Sequence, residues 1–254
     1  MTHLFQVIFY QPILNLLIFI YNNIAFQDLG FSIIIITVII KLVLWPLSKK
    51  SIKSQSSIQE IQPKIDELKK KNKDNKEAMG RELMSLYKEH KVNPFSSCLP
   101  LLIQLPFFIA VFRVFRDGVA SHLELLYSFV AQPEGINNIF LGFMDLSKPV
   151  IYLAVLAGIA QFWQAKMMMA KKKKVNKLDD KVIKGNKEEN MAAIMNKQML
   201  YFMPGITIFI GVTLPGGLTL YWFVLTLLTI LQQSIMHKKI TLDTNLPIEG
   251  DVIK

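Results

Sequence analysis

The sequence has few charged residues, one cysteine and no acidic residue inside its long apolar runs. Charged residues occupy 19% of the 254 positions and hydrophobic residues 52%, whereas about 25% of an ordinary soluble domain is charged. The charges occur in blocks, although a soluble enzyme spreads them over its whole surface. The single cysteine, Cys98, excludes an intrachain disulfide framework and a multi-cysteine metal site. These features indicate an integral membrane protein.

Motifs for catalysis and nucleotide use are also absent. The sequence contains no HExxH, GxSxG or GxxxxGK[ST] motif and no serine–histidine–acid arrangement. We therefore expect no enzyme, no catalytic residue, no cofactor and no metal. A proton- or cation-coupled transporter needs a carboxylate within the membrane, so a small-solute transporter is a weakly supported alternative.

Five apolar runs are candidates for membrane spans. They cover residues 29–47, 98–115, 150–169, 200–214 and 218–236. Basic residues set their orientation, since twelve lie between Lys49 and Lys91, ten between Lys166 and Lys197, and three in the tail from Lys238. All three groups fall on one side if the N-terminus is outside, so the net charge of +10 reflects topology rather than DNA binding.

Residues 4–25 form a further apolar segment that is interrupted by polar side chains. No basic residue precedes it, which argues against a signal peptide. We predict an amphipathic helix on the outer face of the membrane, with a sixth span as the alternative.

One charged residue lies inside a predicted span. Lys41 precedes Leu47 by six residues, or roughly 9 Å along a helix. A lysine at that depth requires a snorkelling side chain or a hydrated cavity. Thr37 is one turn earlier on the same face, and further uncharged polar residues occur in or near the other spans. These uncharged polar residues are equally consistent with hydrogen bonds between helices and with a hydrated groove. They are Gln104, Gln161, Gln164, Thr219, Gln232 and Gln233.

Two polar segments lie between the apolar runs. Apolar residues recur at three- and four-residue steps from Ile58 to Leu68 and from Met79 to Leu86, which predicts a helical hairpin that is either a solvated spacer or a recruitment element. The lysine-rich segment after residue 166 is typical of a flexible loop that binds anionic headgroups or ribosomal RNA.

Several sequence blocks, in order, resemble the YidC-type membrane protein insertases. They are QPILNLLIFIYN, FSIIIITVIIKLVLWPL, QPKIDELKKK, ELMSLYKEHKVNPFSSCLPLLIQLPFFIAVFRVF and QMLYFMPGITIFIGVTLPGGLTLYWFV. The resemblance implies an all-α integral membrane protein with five transmembrane helices around a hydrophilic groove and a cytoplasmic helical hairpin. It also implies the compact form of the family, without a large external domain.

The resemblance assigns roles to individual residues. Lys41 occupies the position of the family's groove arginine, and lysine keeps the charge but loses the bidentate guanidinium. The implied groove residues are Lys41, Thr37, Gln104, Tyr221 and Trp222. Cys98 matches a cysteine of the family, with Ser96 and Ser97 in place of glycines. Helix packing is the simpler role for Cys98.

The expected organisation and partners follow. The order is an external amphipathic helix (1–27), first span (28–48), cytoplasmic hairpin (49–96), second span (97–117), external loop (118–148), third span (149–169), basic cytoplasmic loop (170–198), fourth and fifth spans (199–236) and cytoplasmic tail (237–254). We expect a multi-pass protein of the bacterial inner or plasma membrane that inserts and helps to fold nascent membrane proteins, alone or with the Sec translocon. Other implied partners are the ribosome, the signal-recognition-particle receptor and lipids. The alternative is a membrane chaperone without autonomous insertion.

Overall fold

The structure is a computed structural model that describes residues 3–72, 75–93, 99–175 and 200–244. These residues are almost entirely helical. The helices are α1 (His3–Asn23), α2 (Leu29–Val43), α3 (Trp45–Glu60), α4 (Gln62–Lys71), α5 (Lys76–Glu89), α6 (Leu99–Arg116), α7 (Ile151–Val175), α8 (Leu200–Gly211) and α9 (Gly216–Thr244). The predicted roles of Cys98, of most of the basic loop and of the end of the tail concern positions outside the described residues.

Two helices of the described residues are long and apolar enough to cross a membrane, namely His3–Asn23 and Gly216–Met236. A third is added if Leu29–Val43 and Trp45–Ile58, which are bent by 64°, count as one span. Helix α8 is apolar but shorter. The predicted count of five spans stays a prediction. So does the interfacial position of residues 4–25, because helix α1 has the length that the alternative of a sixth span requires.

Helix α2 has clear sequence signals at both ends. The Asp28 carboxylate accepts a hydrogen bond from the backbone N–H of Phe31 at 3.1 Å and so caps the first turn. The helix ends at Val43, and the chain bends before α3. Pro46 is the second residue of α3 and has no N–H, so an unbroken helix through this point would lack a hydrogen bond. The bend therefore lies inside the predicted first span, three residues after Lys41.

The segment 117–150 between α6 and α7 covers one end of the helices, and we call it the cap segment. It contains a 3₁₀ helix (Val119–Leu125) and a short antiparallel pair of strands, β1 (Ile139–Phe140) and β2 (Met144–Asp145), in which Phe140 pairs with Met144. Polar side chains of α1 bind its backbone carbonyls. Gln11 and Asn15 both donate to Leu125 O, and Asn22 donates to Ala131 O.

The first turn of α9 is also held by the cap segment. The N–H groups of Gly216 and Gly217 donate to Lys148 O at 2.8 Å and to Leu146 O at 2.9 Å. These donors have no partner within their own helix, so the cap segment supplies the acceptors. A Cβ at Gly217 would lie 2.8 Å from the ring of Phe115, which explains why glycine occupies this position.

The predicted helical hairpin corresponds to α4 and α5. The two helices pack through Ile61, Ile65 and Leu86, with Leu68 and Leu83 beside them. Asn75 caps α5 by accepting from Ala78 N–H, and Glu82 binds Asn72 at 2.9 Å across the turn. This apolar cluster is small and separate from the core of the bundle. The hairpin is therefore a structural unit of its own, attached through α3.

Candidate functional site

Lys41 is buried between α2 and α9. It lies in the last turn of α2 with 8% of its surface exposed, and its Nζ donates to Thr229 Oγ1 at 2.9 Å. The Thr229 hydroxyl donates its own hydrogen to Leu225 O at 2.7 Å. One threonine thus accepts from the ammonium without losing its bond within the helix.

The Lys41 charge has no countercharge among the residues described here. The ion pairs in these ranges lie in the hairpin and in or next to the cap segment, and Lys41 is in none of them. A charge removed from water is costly unless it is paired and fully hydrogen-bonded. An ammonium has three donors, so the single bond to Thr229 leaves two of them available for another group.

Thr37 and Lys41 share the inward face of α2, as predicted. Both are buried, and the Thr37 hydroxyl donates to Ile33 O at 2.5 Å within its own helix. The hydroxyl oxygen remains able to accept a hydrogen bond. Thr37 therefore lines the same side of α2 as Lys41 without binding it.

Gln104, Tyr221 and Trp222 form a second group between α6 and α9. Gln104 Nε2 donates to the Tyr221 hydroxyl at 2.8 Å. The Trp222 ring meets the Phe108 ring edge-on, with 5.9 Å between centroids. Tyr221 is fully buried, whereas Trp222 is half-buried. Of the two predicted aromatic groove residues, Trp222 is the accessible one.

The five predicted residues therefore do not form one cluster. Tyr221 and Thr229 are eight residues apart on α9, or roughly 12 Å along its axis. The first joins α9 to α6, and the second joins α9 to α2. The structure brings Gln104 to Tyr221 but does not bring either of them into contact with Lys41.

Thr229, the residue that binds Lys41, was not predicted from the sequence, and Gln232 and Gln233 were not among the predicted site residues. Both glutamines are buried, and the amide Nε2 and Oε1 of Gln232 and the Oε1 of Gln233 have no hydrogen-bond partner in the part of the chain that the structure describes. Thr226, Thr229 and Gln233 recur at three- and four-residue steps along α9. That spacing puts polar groups on one helix face and was a usable signal. We call Lys41, Thr229, Gln232 and Gln233 the polar cluster.

The same two helices are apolar where the cap segment covers them. Ile33 and Ile36 of α2 pack against Leu218 and Tyr221 of α9 in the main core. A void of about 10 Å³ remains there, which is about the smallest cavity that can hold one water molecule. Side chains of α1 and α6 complete this region, which we call the cap-side core; they are Ile13, Leu17, Val111, Val114 and Phe115.

Metal-ligating side chains are not grouped in the residues that the structure describes. No set of three or more histidine, cysteine, aspartate or glutamate residues in these ranges could hold a metal ion. The available chemistry is therefore that of a buried ammonium, amides and hydroxyls, which bind carboxylates and peptide groups through hydrogen bonds.

Comparison with known proteins identifies the family. The model of the 60Kd inner membrane protein family matches residues 19–243, which is most of the chain. The chain belongs to this family. The resemblance predicted from the sequence is confirmed, and the match covers the whole polar cluster and the α2, α6 and α9 residues of the cap-side core.

Relatives in the 60Kd inner membrane protein family carry the name membrane protein insertase YidC. The protein from Geotalea uraniireducens (strain Rf4) is 36% identical over 232 residues, which are 91% of this chain and 37% of that protein. The protein from Fusobacterium nucleatum is 33% identical over 213 residues, 84% of this chain and 87% of that protein. The chain thus spans just over a third of the first relative and most of the second.

A solved structure shares the fold. It is described as an active YidC insertase crystal structure with the first transmembrane domain resolved, and it aligns with a TM-score of 0.55 at 25% identity. The alignment covers 92% of this chain and 46% of the solved chain.

Proposed function

We propose that this chain is a membrane protein insertase, which transfers hydrophobic segments of nascent proteins into the bilayer and assists their folding. The observation that carries the proposal is the polar cluster. Lys41 on α2 is a buried lysine with no carboxylate partner among the described residues, and it binds Thr229 on α9. One turn further along α9, the fully buried amide of Gln232 has no hydrogen-bond partner among the same residues. The names of the relatives support the same function.

A client is the nascent protein that is being inserted. The polar cluster suits the polar part of a client, which must cross the membrane. Lys41 attracts acidic side chains of the client, because their carboxylates supply the countercharge that it lacks. The amides of Gln232 and Gln233 accept and donate bonds to the client's backbone, whose polar groups are costly to expose to lipid. Hydration of this cluster forms the predicted hydrophilic groove.

The apolar part of the client follows a separate path. Trp222 is half-buried and is the accessible aromatic contact, whereas Tyr221 is a positioning residue held by Gln104. Transfer of the apolar segment into lipid drives release, at roughly 25 cal/mol per Å² of buried apolar surface. The sequence has no nucleotide-binding motif, so we assign the driving force to the client, the membrane potential or a partner.

The topology that fits this mechanism has five spans in a bacterial inner membrane. The cap segment and α1 lie outside, and the hairpin, the basic loop and the tail lie in the cytoplasm, in agreement with the positive-inside rule. The cap-side core then closes the outer half of the bundle. The polar cluster lies in the inner half, which clients enter first.

The hairpin is proposed as a recruitment element. Its α4 and α5 pack on each other apart from the main core, and most of their charged side chains are exposed. Such a unit binds the ribosome, the signal-recognition-particle receptor or the Sec translocon without disturbing the spans. Deletion of residues 53–90 should therefore reduce insertion while the remaining helices stay folded; unchanged insertion would remove this role.

A reconstituted assay tests the insertase proposal. Proteoliposomes containing only this protein receive single-span clients with either an acidic or a neutral external segment, and insertion is measured by protease protection. Wild type and Lys41→Arg should insert both clients. Lys41→Gln should lose most insertion of the acidic client and less of the neutral one.

Each other outcome has a defined meaning. Equal insertion of both clients by wild type and Lys41→Gln would mean that Lys41 only snorkels toward the headgroups. Absence of insertion by wild type would contradict autonomous insertion and favour a chaperone that needs a partner.

A further inference from the structure

Four large apolar side chains at the cap end of the molecule each have more than half of their surface exposed. Phe26 is 94% exposed, Phe129 73% and Phe143 69%, and Leu141 is also exposed. We call these four residues the apolar rim. They contribute little to the core, so the fold itself does not account for their hydrophobic character.

Two rim residues occupy backbone conformations that disfavour them. Phe26 has φ +52° and Leu141 has φ +54°, both in the left-handed region. Glycine and asparagine adopt this region more readily than bulky residues do. The chain therefore presents large apolar groups at positions where a small or polar residue would be less strained, and burial within the protein does not offset that strain.

Three loops bring the rim residues to the same end of the bundle. Phe26 lies in the turn between α1 and α2, and Asn22 just before it donates to Ala131 O at 2.7 Å, two residues after Phe129. The Leu29 N–H donates to Asn137 O at 3.4 Å. The rings of Phe31 and Phe140 meet edge-on at 5.4 Å, so the strand turn with Leu141 and Phe143 lies beside the start of α2.

We propose that the apolar rim is a membrane anchor that inserts into the outer interfacial layer of the bilayer. The rim continues an exposed apolar side of α2, where Phe31 and Leu42 lie at the two ends of one stripe. Phenylalanine and leucine are among the side chains with which surface-bound segments enter the boundary between headgroups and acyl chains.

The charge distribution favours lipid over water as the medium around the rim. Residues 4–27 contain no Asp, Glu, Lys or Arg, and residues 126–144 contain only Glu134. A fluid lipid surface also accepts single side chains on separate loops, each at its own depth. The proposed anchor requires that this protein lies in a membrane, but it does not require that the protein acts as an insertase.

Fluorescence quenching tests the anchor. The full chain, with Cys98→Ser, carries an environment-sensitive fluorophore on Phe129→Cys or Phe143→Cys and is reconstituted into phosphatidylethanolamine–phosphatidylglycerol vesicles. Glu134→Cys on the same segment is the matched control. Acyl-chain nitroxide lipids should quench the labels at positions 129 and 143 more than iodide does, and the label at 134 should show the reverse.

Two results would overturn the anchor. Iodide quenching at 129 and 143 as strong as at 134 would mean that the rim lies in water. Protection from both quenchers would mean that a second copy or another protein covers it.

Phe26→Asn provides an independent test. Asparagine tolerates the left-handed backbone, so the fold should be retained, as circular dichroism would verify. Loss of the aromatic ring should raise iodide quenching of a label at position 143 by about twofold, because the strength of interfacial binding increases with the apolar area that is buried. Unchanged quenching with an intact fold would contradict the anchor.

Discussion

Helices α2 and α9 pack on each other along two regions with opposite chemistry. In the cap-side core, Ile33 and Leu218 are completely buried in an apolar cluster that also receives α1 and α6. In the polar cluster, Lys41 and Thr229 bind each other, and the completely buried Gln232 has no hydrogen-bond partner among the described residues. The same helix pair therefore has one end that is closed by packing and one end with unused hydrogen-bonding capacity.

The cap-side core and the polar cluster make opposite contributions to the stability of the helix bundle. Close-packed apolar side chains gain dispersion contacts that a void would forfeit. Buried polar atoms without partners cost about 1–3 kcal/mol each. The cap-side core thus stabilises the bundle, whereas the polar cluster is retained at a cost in stability. Functional sites commonly lower the stability of a fold in this way.

The largest expected effect on stability comes from adding a charge to the cap-side core and, separately, removing the charge from the polar cluster. Ile33→Lys places an unpaired charge in the cap-side core and should lower the free energy of unfolding by about 3 kcal/mol or more. Lys41→Met removes the charge from the polar cluster, and Thr229 keeps its bond to Leu225 O. This variant should be as stable as wild type or more stable. Unfolding in detergent, followed by circular dichroism, measures both.

Equal changes in the free energy of unfolding of the two variants would contradict this difference between the regions. Equal destabilisation by Lys41→Met would mean that Lys41 is a structural residue whose hydrogen bond maintains the bundle. A stable Ile33→Lys variant would mean that the cap-side core is open to water.

A smaller effect is expected from overpacking. Gly217→Val adds carbon atoms where even a Cβ would lie 2.8 Å from the Phe115 ring and 3.3 Å from Ile33 Cδ1. Overpacking of this kind costs about 1–3 kcal/mol. The matched control is Gly205→Val in α8, where the added Cβ would have no described atom within 4 Å beyond its chain neighbours and its own helix backbone. Thermal unfolding should separate the two variants, and an equal loss in both would contradict tight packing of the cap-side core.

The smallest expected effect on stability concerns the hydrogen bond that joins α6 to α9. A double-mutant cycle of Gln104→Leu and Tyr221→Phe isolates the bond between Gln104 Nε2 and the Tyr221 hydroxyl. Such interhelical bonds average about 0.6 kcal/mol in membrane proteins. We expect a coupling of that size in chemical unfolding. Zero coupling would mean that the bond contributes nothing to the position of Tyr221.

The sequence predicted much of the local structure because local signals determine it. Apolar periodicity indicated the hairpin helices, whose Ile61, Ile65 and Leu86 are the buried residues of the small cluster. The three- and four-residue helical spacing also placed Thr37 and Lys41 on one face. In both cases one helix carries the whole pattern, so no knowledge of its neighbours is needed.

The sequence did not predict contacts that depend on how helices pair. Thr229 is one of several polar residues on α9, and its bond to Lys41 depends on the rotation and depth of α9 beside α2. The bend at Leu44 was also missed, because Pro46 is equally compatible with a helix start and with a kink.

Disulfide capture of a client tests most directly the claim that the polar cluster, and not the cap-side core, receives clients. In a Cys98→Ser background, Gln232→Cys and Leu218→Cys replace two completely buried residues of the same helix. A ribosome-bound single-span client with one cysteine is then inserted into vesicles under oxidising conditions. We expect an adduct with position 232 and none with position 218. An adduct with position 218 alone, or with neither position during productive insertion, would contradict that claim.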